Sequence, residues 1–195
     1  MQYDEQDEQT KSATDGIEQT DRDVARAIAP ARHSRTVRAL GQASEAADQP
    51  PLIALSVATA IAGVLTRRPR LARTGLRMLA SHLLATQAKS FVKHRVDRTR
   101  PFVMLGGDGY HARKGSSEEK GENSFPSGHT AGAVAVARAV AAEYPGSRQL
   151  GYTAAVAAGA IQVPRGAHYV SDVIVGAAIG LAAEALVRLV WRVPG

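Results

Sequence analysis

With 195 residues, no cysteine and a net charge of +6, the chain has room for one compact domain and a tail, and disulfides and thiolate-bound metals are excluded. Aromatic residues make up only 5% of it. Ala, Val, Leu and Gly carry most of the apolar content, which favours closely packed helices over a sandwich or barrel.

Residues 1–23 hold eight acids and two bases, so the rest of the chain carries +12. The first stretch is polar and Gln-rich without periodicity, which predicts a disordered acidic tail, and it lacks the basic-then-apolar order of a cleavable signal peptide. A basic body points to phosphate groups or anionic headgroups as partners. No basic face interleaved with aromatics occurs, which argues against nucleic acid.

Residues 24–48 predict an amphipathic helix, interrupted near Pro30, that lies on the body or on a membrane surface. Pro50-Pro51 marks the start of a helical domain over 49–195. Residues 49–66 carry no charge and suffice for a short transmembrane helix. Arg67, Arg68, Arg70, Arg73 and Arg77 follow. Residues 71–92 read as a helix half-buried among others, since they include His82 and Lys89. Residues 93–123 predict a long loop with mobile glycine-rich stretches. A third helix begins at Pro126 or Ser127 and runs to about Glu143, stopped by Pro145-Gly146. The fourth covers 149–163 and breaks at Pro164-Arg165-Gly166. The fifth runs from about Ser171 to Trp191, with Arg188 and Arg192 near its C-terminal end, where cations suit the dipole.

The expected fold class is therefore all-α: an antiparallel bundle of about five core helices plus an amphipathic N-terminal helix, embedded in a membrane. Gly176 and Gly180 form a G-x-x-x-G pattern that lets membrane helices approach closely. If the arginine cluster after residue 66 faces the cytoplasm, the helices alternate so that Lys93, Pro126 and Arg165–Asp172 all reach the outer side.

Those three places carry the chemistry. Lys93 and Arg100 lie seven apart, two helical turns, so both can project toward one rim; Arg offers a bidentate fork and Lys a point charge. Ser127-Gly128-His129 opens a helix, where free N–H groups and the dipole bind anions and Gly permits close approach. His129 suits proton delivery to a leaving group. His168 and Asp172, four apart, share a helical face, and a carboxylate can hold one ring nitrogen protonated while the other acts as nucleophile. No further carboxylate or histidine in the sequence completes a metal site on that pair.

In order and spacing these segments resemble the three-part signature of the type 2 phosphatidic acid phosphatase and vanadium haloperoxidase superfamily, from Lys93 to about Gly180, most specifically in Ser124-Phe125-Pro126-Ser127-Gly128-His129-Thr130. The resemblance implies phosphate binding by Lys93 and Arg100, assisted by Ser127 and Gly128. It implies His129 as general acid, His168 as the nucleophile that becomes a phosphohistidine, and Asp172 as its orienter, without a metal ion or other cofactor. The chain departs at one place: Gln162 stands where the family has arginine and Ile161 where it has serine, and Arg165 is the expected stand-in. The implied substrates are lipid phosphates or polyprenyl pyrophosphates, met in the inner membrane with the site on the outer face. Oligomeric state is left open. Two alternatives are a vanadate-dependent haloperoxidase, whose family members are larger and soluble, and a catalytically impaired membrane scaffold of the same fold.

Overall fold

The computed structural model describes residues 2–191, with side chains from residue 14 onward; Arg192, expected at the end of the last helix, lies outside the described residues. The eight helices are α1 (Gln2–Ile28), α2 (Arg35–Ser44), α3 (Gln49–Leu65), α4 (Pro69–Lys93), α5 (Pro101–Met104), α6 (Gly128–Glu143), α7 (Arg148–Ala160) and α8 (Val170–Val190). Two short strands, β1 (Val96–Arg98) and β2 (Ala112–Lys114), pair antiparallel. The five expected core helices are α3, α4, α6, α7 and α8, each with ends within a few residues of those the sequence implies.

Punctuation follows the residues. Pro30 turns α1 into a 3-10 segment over Ala29–His33, because it has no N–H to donate. Ser34 caps α2, its Oγ accepting the Val37 N–H at 3.1 Å. Pro50 and Pro51 fall in the first turn of α3, where a missing donor costs nothing.

The expectation of a disordered tail over residues 1–23 does not hold: the chain is helical from Gln2, and Asp21 is buried. What the polar composition concealed is that a single acid finds a buried cation elsewhere in the fold. The 93–123 segment is also more ordered than expected. Its two strands pair, the Arg100 N–H donates to the Gly121 carbonyl at 2.7 Å, and the Phe102 N–H donates to that of Gly166 at 2.9 Å.

The Ala- and Gly-rich α6 forms the centre, packed by α4, α7 and α8, with α3 against α4. Small residues set the spacing. A Cβ on Gly176 would sit 2.5 Å from the Ser127 carbonyl oxygen, and one on Gly180 2.5 Å from that of Ala131. The expected G-x-x-x-G face of α8 thus packs on the N-terminal half of α6. At the other end of the bundle, Arg77 pairs with Glu143 at 3.4 Å and with Glu184, and Arg138 pairs with Glu184 at 3.0 Å. Buried charges there are matched, as a low-dielectric interior requires.

Among the described residues, α8 is long and apolar enough to cross a membrane, with a mean hydropathy of 2.1; its 21 residues span about 31 Å. The α2 and α3 segments meet the same measure only as a pair bent by 50°.

Candidate active site

The predicted site residues come from the C-terminus of α4 (Lys93), the start of α5 (Arg100), the N-terminus of α6 (Ser127, Gly128, His129), the turn after α7 (Arg165) and the start of α8 (His168, Asp172). The Ser127 N–H donates to the Asp172 carbonyl at 3.0 Å, which joins the starts of α6 and α8 directly.

Two successive carbonyls organise the rim. The Asn123 oxygen accepts from Lys93 Nζ at 2.9 Å and from Arg100 Nη2 at 3.1 Å. The Ser124 oxygen lies 2.7 Å from His168 Nδ1. The two cations do meet, though not as neighbours on one helix: α4 ends at Lys93, and β1 intervenes before Arg100. Burial holds the Arg100 guanidinium below its ordinary value, and its buried Nε has no partner.

His168 does not share a helical face with Asp172 as expected. It precedes α8, whose N-cap is Tyr169, and its Nδ1 lies 3.7 Å from Asp172 Oδ2, an ion-pair distance too long for a hydrogen bond. The Ser124 carbonyl can only accept, so Nδ1 is the protonated nitrogen and donates to it. That tautomer leaves Nε2 with its lone pair, and no hydrogen bond engages it. His168 is 3% exposed; burial pushes its imidazole below the ordinary value, Asp172 opposes this, and Arg100 and Lys93 add to it.

Asp172 is committed elsewhere. Its Oδ2 accepts the Tyr169 N–H at 2.8 Å, the N3 side chain reaching back to the cap, and also the Ser124 hydroxyl. Its Oδ1 accepts from Arg98 Nη1 at 2.6 Å. The same guanidinium donates to Asp21 Oδ2 at 2.9 Å and Ser171 Oγ at 2.8 Å, and stacks 4.3 Å from the centre of the Tyr169 ring. Sequence reasoning missed Arg98, Asp21 and Ser124. Arg98 belongs to a short basic run that reads like a solvated one, and nothing local marks Asp21 among eight acids.

At α6, Ser127 is fully buried, and its Oγ accepts the Thr130 hydroxyl at 3.0 Å, leaving its own proton to donate. His129 Nε2 is buried without a hydrogen-bond partner; Glu45 Oε2 and Asp48 Oδ1 lie 3.8 and 4.0 Å away. Among the described residues, Glu45, Asp48 and His129 form the one such trio close enough to share a cation.

Arg165, the expected stand-in, is engaged. Its Nη2 pairs with Glu45 at 2.7 Å and its Nη1 donates to Ser44 Oγ at 3.0 Å. Gln162 is buried and donates to Ser44 Oγ and the Ala158 carbonyl. Gly166, at φ 71°, makes the turn that brings Arg165 and His168 round; a β-carbon there is strained.

The PAP2 superfamily profile matches residues 74–193, more than half of the chain and every motif residue above. The protein belongs to the PAP2 superfamily. Over 104 residues it is 35% identical to the lipid A 1-phosphatase of Porphyromonas gingivalis, an alignment covering 49% of this chain and 23% of that relative. The fold matches the transmembrane PAP2-type phosphatidylglycerolphosphate phosphatase of Bacillus subtilis, with a TM-score of 0.63, 22% identity and coverage of 90% of this chain and 86% of that one. It also matches LpxE of Aquifex aeolicus, with a TM-score of 0.59, 22% identity and coverage of 86% and 93%. The all-α fold of these two structures is therefore the fold of this chain.

Proposed function

We propose that this PAP2 protein hydrolyses a lipid phosphate monoester or pyrophosphate through a phosphohistidine on His168, without a metal ion. The observation that carries the reading is the 2.7 Å contact between His168 Nδ1 and the Ser124 main-chain carbonyl: a carbonyl only accepts, so Nδ1 holds the proton and Nε2 is the free nucleophile. The Nε2 lone pair attacks phosphorus as the bond to the leaving oxygen breaks, and His129 protonates that oxygen. Water then attacks phosphorus, His129 takes its proton, and the P–N bond breaks to release inorganic phosphate. Lys93, Arg100 and the α6 N-terminus, with Ser127 and Gly128, balance charge on the equatorial phosphoryl oxygens. Asp172 holds the α8 N-terminus and the Arg98 cluster in place around His168.

A lipid substrate accords with the exterior of the bundle. Leu65, Val64, Phe91, Leu150, Val156 and Val190 are exposed, and α8 is long and apolar enough to span a bilayer. In this reading residues 49–195 are the catalytic domain, set in the inner membrane, and residues 1–48 cover its rim. The arginines that open α4 face the cytoplasm, so the site opens on the outer face. Arg165 serves to tether the covering segment through Glu45.

Phosphate release from a panel of lipid phosphates in detergent, with EDTA present and His168→Ala as control, tests the proposal. Activity that survives EDTA and is lost with His168 supports it. Activity abolished by EDTA refutes the metal-free mechanism, and the Glu45–Asp48–His129 trio becomes the place to look.

A further inference from the structure

Lys89 has no part in the three-segment signature, yet it reaches the same site. It lies one turn before Lys93 on α4, and residues four apart share a helix face. Its side chain crosses the N-terminus of α6: a Cβ on Gly128 would meet Lys89 Cδ at 3.0 Å and Nζ at 3.3 Å. The glycine thus makes room for a lysine as well as for a ligand. Any side chain at position 128 would push the ammonium off the Ser127–His129 turn.

The electrostatics of this placement are unfavourable without an anion. A helix N-terminus carries about half a positive charge, and Lys93 and Arg100 add two full charges nearby. Lys89 is half-buried and makes no ion pair or hydrogen bond with a described residue; the acid whose field reaches it is Asp48. Below it, His82 is buried against Gly132 with both ring nitrogens unpartnered. Arg165 differs, because Glu45 already neutralises it.

We propose that Lys89 is a third phosphate-binding cation, contacting the substrate phosphoryl group from the α6 side while Lys93 and Arg100 hold it from the Asn123 side. This rests on the phosphatase reading of the site. Lys89 then supplies the positive charge absent at Gln162. Three cations match the three equatorial oxygens of an in-line phosphoryl transfer.

The test uses the full chain purified in detergent, as wild type, Lys89→Met and Lys89→Arg. Orthovanadate affinity is read by titration calorimetry, and KM and kcat with a short-chain phosphatidic acid. The expected result is vanadate affinity weakened about tenfold or more in Lys89→Met, the range for losing one charged hydrogen bond, with Lys89→Arg within about threefold of wild type. The proposal is overturned if Lys89→Met binds vanadate within about twofold of wild type, or if both variants are impaired equally. The arginine variant keeps the charge should the methionine variant fail to fold. A wild type that neither binds vanadate nor releases phosphate overturns the phosphatase reading as well; an active wild type with indifferent Lys89 variants overturns only the role of Lys89.

Discussion

Asp21 of α1 and Asp172 of α8 grip one guanidinium, that of Arg98, at 2.9 and 2.6 Å. All three are at most 5% exposed, so the N-terminal helix is part of the scaffold behind His168. Asp21 also accepts the Ser171 N–H at 3.2 Å, fixing the first turn of α8 next to His168.

Removing Asp21 tests that linkage. Asp21→Ala leaves Arg98 with one carboxylate and the Ser171 N–H without a partner, and breaking a buried pair costs about 3 kcal/mol. We expect a lower unfolding temperature in detergent and a reduced kcat with little change in KM, because His168 is displaced while the phosphate cations are not. An unchanged unfolding temperature would show that α1 does not dock.

His168 sets the pH dependence. Its buried imidazole sits below the ordinary value of about 6.5, and it must be neutral to attack. The acid limb of kcat/KM therefore falls below pH 6.5, where an exposed histidine would already be charged. The same shift affects stability. The unfolded chain takes up the proton first, so the contribution is complete above about pH 6.5 and is lost as pH falls through the folded value. Rate and unfolding profiles between pH 4.5 and 8 check both, and His168→Gln should flatten that part of the unfolding profile.

The division of labour at the nucleophile predicts an asymmetry between two neighbours. Ser124→Ala removes a hydroxyl bonded to Asp172 but keeps the carbonyl that orients His168, so kcat should stay within about fivefold, for a loss near 1 kcal/mol. Asp172→Asn uncouples Arg98 and the α8 cap together, a loss of about 3 kcal/mol in stability accompanied by a larger drop in kcat. Comparable kcat values for the two variants would contradict the main-chain orientation of His168.

Helix spacing can be probed at Gly176. A methyl group there meets the Ser127 carbonyl at 2.5 Å, so Gly176→Ala must push α8 away from α6. Overpacking of this kind costs about 1–3 kcal/mol, and it should weaken vanadate binding as well, because the two displaced helix starts form the pocket. Gly146→Ala, which meets nothing within 4 Å, is the control.

Glu45 and Arg165 form a pair at the rim with about half of the Glu45 side chain exposed. Such pairs are worth about 0–1 kcal/mol. Glu45→Gln should accordingly change KM by no more than about fivefold, in the direction of tighter substrate binding, since it removes a negative charge beside His129. Weaker binding in this variant would mean that Glu45 assists the substrate.

The core helices were legible because their signals are local: charge-free or small-residue stretches bounded by Pro50-Pro51, Pro145-Gly146 and Pro164-Arg165-Gly166. The motif residues were legible too, since they stand in short local patterns at the ends of the helical stretches. The ordering of α1 was not, because it depends on Asp21 meeting Arg98 across 77 residues of chain. Nor was the orientation of His168, which spacing attributes to Asp172 and the fold assigns to a main-chain oxygen, an acceptor that every residue carries alike.

Sequence alone determined the helical bundle, from residue type and periodicity, and the two imidazoles and two cations at its rim, from the motif residues that carry the family resemblance. Tertiary structure alone decided which partner each charged group keeps: Arg165 with Glu45, Asp172 with Arg98, Lys89 with no ion pair among the described residues. The reason is physical. Pairing between charges depends on distances of a few ångströms between segments remote in the chain, and no local pattern encodes such distances.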